Sequence, residues 1–366
     1  MGPPPEPVGD LVALTAELVD IPSVSHHEAT LGDHLESMLR AVPWLVVERH
    51  GDNLVARTEL GRRWRLVLAG HTDTVPPAGN QRAQVVGDVV HGVGASDMKS
   101  GLAVFVELAR TEADPAVDLT FVFYAGEEVD SRYNGLGHLL ADHPHLLAGD
   151  AAILGEPTGG AIEAGCQGSL RMVVTLAGRR AHSARPWMGV NAVHRLAAVL
   201  DAVARSPERR PVLGGCEFRE ALQAVAVEAG VAGNVVPDRA TLTLNHRFAP
   251  DRSQADAEDH VRSLLAPALG PEDTVEVVDV AAGAPPGLEH PLLRALVTTA
   301  GVEVRAKLGW TDVARFAAMG IPACNFGPGD PTLAHHPDER VEGSLLRSTH
   351  AALADLVRHG PAEEIA

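Results

Sequence analysis

The sequence is poor in cysteine, in basic residues and in long apolar runs. Its three cysteines, Cys166, Cys216 and Cys324, show no C-x-x-C spacing, which argues against a disulfide framework and a thiolate zinc site. The 30 basic residues are outnumbered by 48 acidic ones, and the formal net charge of −18 argues against nucleic acid as a partner. No stretch approaches the roughly 20 apolar residues of a membrane span, and the N-terminus lacks the pattern of a signal peptide. We therefore expect a cytoplasmic protein with neither nucleic acid nor membrane as a partner.

The length of the chain indicates two domains. It has 366 residues, whereas a single core usually stops growing at about 250–300 residues. Short apolar runs alternate with segments of helical periodicity such as 98–110, which is typical of an α/β fold with a mainly parallel sheet and helices on both faces. The runs expected to form this sheet are RLVLAG at 65–70, LTFVFYAG at 119–126, AAILG at 151–155 and IPACNFG at 321–327.

The middle of the chain has a different pattern. It predicts a strand, a helix, two strands, a helix and a final strand, at 169–176, 191–204, 222–227, 240–247, 256–265 and 274–280. This order describes a small α+β sandwich. We therefore predict a discontinuous first domain at 1–167 and 282–366, interrupted by an inserted domain at 168–281.

Acidic and imidazole side chains lie in short loops, most of which follow the apolar runs. Because ligands bind beyond the carboxyl ends of strands in open α/β sheets, we expect these side chains to converge at one sheet edge. Histidine nitrogen and carboxylate oxygen without thiolate are typical of a catalytic zinc site, which keeps a coordination position for water. The residues are His71 in AGHTDTV, Asp97 in GASDMKSG, Glu127 and Glu128 in YAGEEVD, Glu156 in GEPT and His335 in LAHHPDE.

Two zinc ions need a carboxylate that bridges them, and Asp97 is the candidate. It stands where a glycine-rich loop enters a helix, so both of its oxygens could point outward. The alternative is an ordinary N-cap aspartate. Asp73 lies two residues after His71, where its carboxylate could accept a hydrogen bond from the ring nitrogen that does not hold metal.

Glu127 and Glu128 are neighbours on the chain and therefore point apart, so one could hold metal while the other acts as general base. For each candidate alone, an ordinary loop or helix charge is the alternative, and His336 competes with His335 as a ligand. All of the candidates together, in this order and at strand ends, favour a metal site.

These residues lie in motifs that resemble one family over nearly the whole chain. The sequence is similar to the di-zinc amidohydrolase and metallopeptidase family that includes aminoacylase, acetylornithine deacetylase and succinyl-diaminopimelate desuccinylase, and its middle motifs favour the actinobacterial desuccinylase subgroup. The motifs are GHTDTV, GASDMKSG, AGEEV, GEPT, GRRAHSARPWMGVNA, GNVVPD, NHRFAPDRS, KLGWTDVARF and NFGPGDPTLAHHPDE.

The resemblance implies hydrolysis of an N-acyl amide, and N-succinyl-LL-2,6-diaminopimelate is the expected substrate. N-acetylornithine, another acyl-amino acid or a peptide carboxyl terminus is the alternative within the family. A non-catalytic, metal-stabilised binding protein is the alternative of a different class.

The resemblance also implies individual roles in the metal site. It implies a general base at Glu127, support for His71 from Asp73, and a cis peptide between Asp97 and Met98. Two zinc ions, for which Co²⁺ could substitute, would be held by two ligand sets that share one residue: His71, Asp97 and Glu156, and Asp97, Glu128 and His335.

The inserted domain is implied to act as a lid and to build a homodimer, in which His182 reaches the active site of the partner subunit and stabilises the oxyanion. Positions that contact substrate in the family are matched by Asn234, Arg247, Thr311 and Gly327. Arginine suits a carboxylate because its planar fork binds two oxygens together.

Two segments depart from the pattern of many desuccinylases. These enzymes carry an arginine pair where this chain has Cys166-Gln167, and Gly-Thr-Ser-Asp where it has Gly309-Trp310-Thr311-Asp312. The departures leave the metal ligands unchanged. They affect the expected contacts with the distal carboxylates of the substrate.

Overall fold

The computed structural model describes residues 9–362, which divide into two compact units. The first unit consists of the chain up to Ala164, Pro286–Arg305 and the chain from Arg315 onward. The second consists of Gly165–Pro285 and Ala306–Ala314. The N-terminal segment 1–8, in which we expect no targeting signal, lies outside the described residues. Among residues 9–362, no helix has both the length and the apolar character that a membrane span requires.

Helices and strands alternate along most of the chain. The strands are β1 (Val46–His50), β2 (Asn53–Arg57), β3 (Arg65–His71), β4 (Gln84–Val86), β5 (Val89–His91), β6 (Asp118–Tyr124), β7 (Ala151–Leu154), β8 (Ile162–Ala164), β9 (Gly168–Ala177), β10 (Val212–Leu213), β11 (Cys216–Glu217), β12 (Ala221–Ala229), β13 (Arg239–Phe248), β14 (Thr274–Ala281), β15 (Val304–Ala306), β16 (Ala323–Asn325) and β17 (Arg340–Glu342). The helices are α1 (Leu11–Asp20), α2 (Ala29–Arg40), α3 (Lys99–Thr111), α4 (Gly135–Asp142), α5 (Ala192–Ala204), α6 (Gln254–Leu265), α7 (Pro291–Ala300), α8 (Val313–Ala318) and α9 (Gly343–His359). Short 3-10 helices occupy Ser131–Tyr133, Pro144–Leu147, Pro186–Met188 and Ala266–Ala268.

The largest sheet is centred in the first unit and has the strand order β1-β2-β6-β3-β7-β16-β8-β15. Its central strands β6, β3, β7 and β16 are parallel, whereas β1 with β2, β2 with β6 and β16 with β8 pair antiparallel. Parallel strands are normally covered on both faces, and β3 and β6 are accordingly buried almost throughout. This topology confirms the predicted α/β class with a mainly parallel sheet.

The core of the first unit joins apolar residues of β2, β3 and β6 with those of α1, α2, α3, α7 and α9. A close approach between α3 and the segment after β7 depends on glycine. A Cβ atom at Gly101 would lie 2.2 Å from the carbonyl oxygen of Gly155. Glycine at this position therefore lets α3 pack directly against the segment that carries Glu156.

The second unit contains an antiparallel sheet of order β12-β13-β9-β14, with α5 and α6 packed into one core with it. Asn191 caps α5, and Ser253 and Asp256 form a capping box at the start of α6. The predicted strand and helix order of the α+β sandwich is present. The segment Ala306–Ala314 also belongs to this unit, although the sequence analysis placed it with the outer ranges.

Candidate metal centre

The candidate ligands stand at one edge of the main sheet. His71 is the last residue of β3, and β3 lies between β6 and β7 in parallel order. Glu127 and Glu128 follow β6, and Glu156 follows β7, so the carboxyl ends of three neighbouring strands carry these side chains. Asp97 lies two residues before α3 and is joined to Met98 by a cis peptide, as the family resemblance implies.

Two groups of potential ligand atoms share Asp97. The first is His71, Asp97 and Glu156, and the second is Asp97, Glu128 and His335; within each group the ligand atoms lie within 4.8 Å of one another. Oδ1 of Asp97 is 3.1 Å from Nε2 of His71, and Oδ2 is 3.7 Å from Nε2 of His335. The two oxygens of one carboxylate therefore face two imidazoles, which is the arrangement that a bridging ligand requires.

Glu127 and Glu128 differ in their contacts. Oε1 of Glu128 lies 2.8 Å from Nε2 of His335, and Glu128 belongs to the group with Asp97. Glu127 also lies near potential ligands, in a third group with His71 and Glu128, but it is not part of either group that contains Asp97. The geometry thus distinguishes Glu128, which is close to both imidazoles, from Glu127 beside it.

The carboxylate of Asp73 anchors several parts of this centre at once. It is buried, and it accepts hydrogen bonds from the backbone N–H groups of Glu127 and Glu128, both at 3.0 Å, and from Oγ of Ser25 at 2.7 Å. Nδ1 of His71 lies 3.0 Å from the backbone carbonyl oxygen of Asp73 and 3.5 Å from its carboxylate. Asp73 therefore orients His71 mainly through its backbone, while its side chain positions the two glutamates.

An excess of negative charge shifts the pKa values in the centre. Burial lowers the pKa of His71, but hydrogen bonds with Asp73 and Asp97 outweigh it, so the pKa is raised well above its ordinary value. Burial raises the pKa of Glu128, with a further rise from Asp97. Burial lowers the pKa of His335, but the carboxylate of Glu128 outweighs it and the net shift is upward. A divalent cation would neutralise this excess charge, so the donor set fits a metal.

Two buried charged residues beside the centre were not selected by the sequence analysis. Oε1 of Glu339 accepts hydrogen bonds from the backbone N–H groups of Ser96 and Asp97. Burial raises the pKa of Glu339 to about 7.

The second of these residues is Lys99. Its Nζ donates to the carbonyl oxygens of Leu18 and Ile21, and burial lowers the pKa of Lys99 to about 7. Glu339 lies in the motif LAHHPDE and Lys99 in the motif GASDMKSG, both quoted above. Their position in these motifs is the only sequence feature that could have identified them.

The remaining candidates are divided between the units. Gly327 belongs to the first unit, where a Cβ atom would lie 2.4 Å from the carbonyl oxygen of Glu156. His182, Asn234, Arg247 and Thr311 belong to the second. There, the N–H of Ser183 donates to the carbonyl oxygen of Asn234 at 2.9 Å, so His182 and Asn234 are on neighbouring segments. Thr311 is buried, and its carbonyl oxygen lies 3.7 Å from the thiol of Cys166.

Arg247 shares one face of the second unit's sheet with Arg171. Arg247 lies opposite Ser169 in the pairing of β13 with β9, and Arg171 is two residues further along β9, so the two arginines are diagonal neighbours. Burial lowers the pKa of the half-buried Arg247, and Arg171 lowers it further. Within residues 9–362 neither guanidinium forms an ion pair or a hydrogen bond. The sequence analysis did not select Arg171.

Comparisons with known proteins place this chain among metal-dependent hydrolases. Residues 67–359, which include all the candidate metal ligands, match Peptidase family M20/M25/M40. A Mycobacterium tuberculosis protein, provisionally named as a succinyl-diaminopimelate desuccinylase, is 55% identical over 351 residues, covering 96% of this chain and 97% of its own. The succinyl-diaminopimelate desuccinylase of Corynebacterium glutamicum is 48% identical over 354 residues, covering 94% and 95%.

Solved structures share the fold at lower sequence identity. The aminopeptidase PepT from Bacillus cereus superimposes with a TM-score of 0.78 at 21% identity, covering 95% of this chain and 97% of its own. This similarity supports the two-part α/β architecture described above.

Proposed function

The chain belongs to Peptidase family M20/M25/M40 and is a hydrolase, and from this premise we propose that two zinc ions enable it to hydrolyse N-succinyl-LL-2,6-diaminopimelate. The products would be succinate and LL-2,6-diaminopimelate. Relatives named for this activity cover nearly the whole chain, and that coverage supports the choice of substrate.

The observation that carries the proposal is the position of the Asp97 carboxylate between two imidazoles. With Glu156 completing one group and Glu128 the other, each zinc would have three protein ligands. Catalytic zinc sites typically have three, which leaves a position open. Zinc ions bound there would supply Lewis acidity, which lowers the pKa of water from about 15.7 to about 7 and polarises a carbonyl.

Glu127 is proposed as the general base. Its backbone N–H is held by Asp73, which fixes the start of its side chain beside the ligands. Its carboxylate would take the proton of the attacking water and deliver it to the leaving amine. The division of labour between the two neighbouring glutamates follows from their contacts, because Glu128 is the one that reaches His335.

His182 is proposed as the donor that stabilises the oxyanion on the substrate carbonyl. The N–H of Ala184 donates to Nδ1 of His182 at 3.0 Å. A neutral ring that accepts at Nδ1 carries its proton on Nε2, which makes Nε2 a hydrogen-bond donor. The side chain is exposed in the second unit, so this donor could enter the active site of another subunit.

A homodimer built through the second unit is also proposed, because His182 would act in the active site of another subunit. β12 lies at the edge of its sheet, and Val225 and Val227 on this strand are 57% and 52% exposed. An unpaired edge strand with exposed apolar residues favours pairing with another chain. We place this dimer in the cytoplasm, in keeping with three buried free cysteines.

Recognition of an acidic substrate is supported by Arg247 and Arg171. A half-buried arginine beside a second arginine favours an anion, and a guanidinium binds a carboxylate with two parallel hydrogen bonds. The proposed substrate carries carboxylates at the ends remote from the amide that is cut. Arg171 could supply a contact that the absent arginine pair, here Cys166-Gln167, makes in the family pattern.

The test compares substrates side by side. Metal-free protein is reconstituted with zinc and incubated with N-succinyl-LL-2,6-diaminopimelate, N-acetylornithine and an unblocked dipeptide, and the released acid or amine is quantified by mass spectrometry. We expect the succinylated compound to be cleaved with the highest kcat/KM, and chelated protein to be inactive. Cleavage of another substrate in its place would contradict the choice of acyl group, and cleavage of none would contradict the assignment as an amide hydrolase.

A further inference from the structure

Glu339 holds the loop that carries the proposed bridging ligand, although it belongs to neither metal group. Its Oε1 accepts hydrogen bonds from the N–H groups of Ser96 and Asp97, both at 2.9 Å. Its backbone carbonyl oxygen accepts a hydrogen bond from the N–H of Gly92 at 3.0 Å. The side chain is 1% exposed. Glu339 therefore holds the segment from Gly92 to Asp97 at both ends.

The same residue belongs to the segment that carries His335. The N–H of Glu339 donates to the carbonyl oxygen of His336 at 3.0 Å. β17 begins at the next residue and pairs with β5, so Arg340 lies opposite His91, directly before Gly92. The two ligand-bearing loops are thus joined where each meets its strand.

The conformation of His335 makes such a support necessary. Its φ angle of 63° lies in the left-handed region. For a residue other than glycine this conformation is unfavourable, and it persists where the surrounding structure holds it in place. The turn from His335 to Glu339, closed by the hydrogen bonds of Glu339, is the part of the structure in a position to do so.

We propose that Glu339 is a positioning residue that sets the separation between the Asp97 carboxylate and the His335 imidazole. This inference rests on the proposed di-zinc function, because it concerns the group of Asp97, Glu128 and His335. Oδ2 of Asp97 and Nε2 of His335 are 3.7 Å apart. Metal–ligand distances are held to about 0.2 Å, so even a small displacement of the Asp97 loop would weaken the site.

The two requirements of this role, reach and charge, can be separated by substitution. Glu339→Gln keeps an acceptor oxygen at the same reach and removes the charge. Glu339→Asp keeps the charge and shortens the side chain by one methylene, so one oxygen can no longer reach both N–H groups. Glu339→Ala removes both. If Glu339 acts by positioning the loop, metal affinity should be highest for Glu339→Gln, and Glu339→Asp should resemble Glu339→Ala. If its role is purely electrostatic, Glu339→Asp should bind metal more tightly than Glu339→Gln.

The experiment titrates metal-free protein with Co²⁺ by calorimetry and follows the visible absorption of the bound ions. For Glu339→Ala and Glu339→Asp we expect the affinity for one of the two Co²⁺ ions to fall about 10–100-fold, as is typical when a residue that orients metal ligands is lost. In the zinc enzyme, kcat should fall by a similar factor with little change in KM, because the proposed substrate contacts lie elsewhere. Glu339→Gln should recover most of both losses. The matched control is Glu342→Ala, which removes an exposed glutamate three residues along the chain and should match the wild type.

The outcomes distinguish this inference from the proposed function. Wild-type protein that binds fewer than two Co²⁺ ions would contradict the di-zinc function. Wild-type protein that binds two, together with Glu339→Asp that binds both with unchanged affinity and absorption, would overturn the role of Glu339. Circular dichroism identifies any variant that does not fold. If Glu339→Ala does not fold, the comparison of Glu339→Gln with Glu339→Asp remains decisive.

Discussion

Replacing Asp73 by asparagine should show how strongly the metal centre depends on a residue that positions the ligands without being one of them. Asparagine has the same shape as aspartate but only one acceptor oxygen. In the wild type, Oδ1 accepts from the N–H of Glu127, and Oδ2 accepts from the N–H of Glu128 and from Ser25. Whichever way the amide faces, its NH₂ group meets at least one backbone N–H, which then loses its acceptor.

The size of the effect follows from the burial of these groups. A buried donor left without an acceptor costs about 1–3 kcal/mol, so the free energy of unfolding of metal-free protein should fall by this amount. The same change displaces Glu127 and Glu128 relative to His71. Loss of a residue that orients metal ligands typically costs about 10–100-fold in metal affinity or activity, and we expect kcat/KM of Asp73→Asn to fall within this range.

The pH dependence of the stability loss has a definite sign. Burial raises the pKa of Asp73, but the neighbouring His71 imidazole and the hydrogen bonds from Ser25 and Glu127 outweigh it and lower the pKa from 3.8 to about 2. A carboxylate with a depressed folded-state pKa stabilises the fold fully above its unfolded pKa and loses this contribution as pH falls through the folded pKa. The part of the stability difference between wild type and Asp73→Asn that arises from the titration of Asp73 itself should therefore be constant above pH 3.8 and be lost as the pH falls towards about 2.

Urea unfolding of the metal-free proteins, zinc titration and steady-state kinetics measure the three quantities. Asp259→Asn, which changes an exposed aspartate on α6, is the matched control and should leave all three unchanged. An Asp73→Asn protein with the stability, zinc affinity and kcat/KM of the wild type would refute the assigned role of Asp73.

Three further substitutions test separate parts of the account. Glu127→Gln should keep both zinc ions by metal analysis and lose activity, and a variant that retains activity would contradict the general base. His182→Ala should lower kcat about 10²–10³-fold at unchanged zinc content, the usual effect of removing one oxyanion donor; unchanged kcat would exclude that role. Gly101→Ala should lower the free energy of unfolding by about 1–3 kcal/mol, because its Cβ would lie 2.2 Å from the carbonyl oxygen of Gly155. Gly233→Ala, whose Cβ meets nothing within 4 Å, is its control, and equal stability of the two would contradict the packing argument.

The ligand loops could be predicted from the sequence because they adjoin strands and helices with clear patterns. β3 and β6 are buried apolar runs, and in a parallel sheet their carboxyl ends lie at the same edge. This geometry brings His71 near Glu127 and Glu128 without any knowledge of individual contacts. The alternating patterns of β9 and β13 predicted the sheet of the second unit in the same way.

Contacts between distant loops could not be predicted. Glu339 and Ser96 are separated by 243 positions, and no local pattern indicates which backbone groups a loop glutamate will face. For Asp73, the backbone conformation decides that its carbonyl oxygen is the atom nearest to Nδ1 of His71. The place of Ala306–Ala314 in the second unit likewise depends on tertiary packing, because its chain neighbours belong largely to the first.

A crystal of the zinc-loaded protein, with anomalous scattering measured at the zinc edge, tests the central claim most directly. Two peaks are expected on either side of the Asp97 carboxylate, about 3.5–4 Å apart as in other two-metal hydrolases. One would lie with His71 and Glu156, and the other with Glu128 and His335. A single peak, or two peaks that do not share Asp97, would contradict the account.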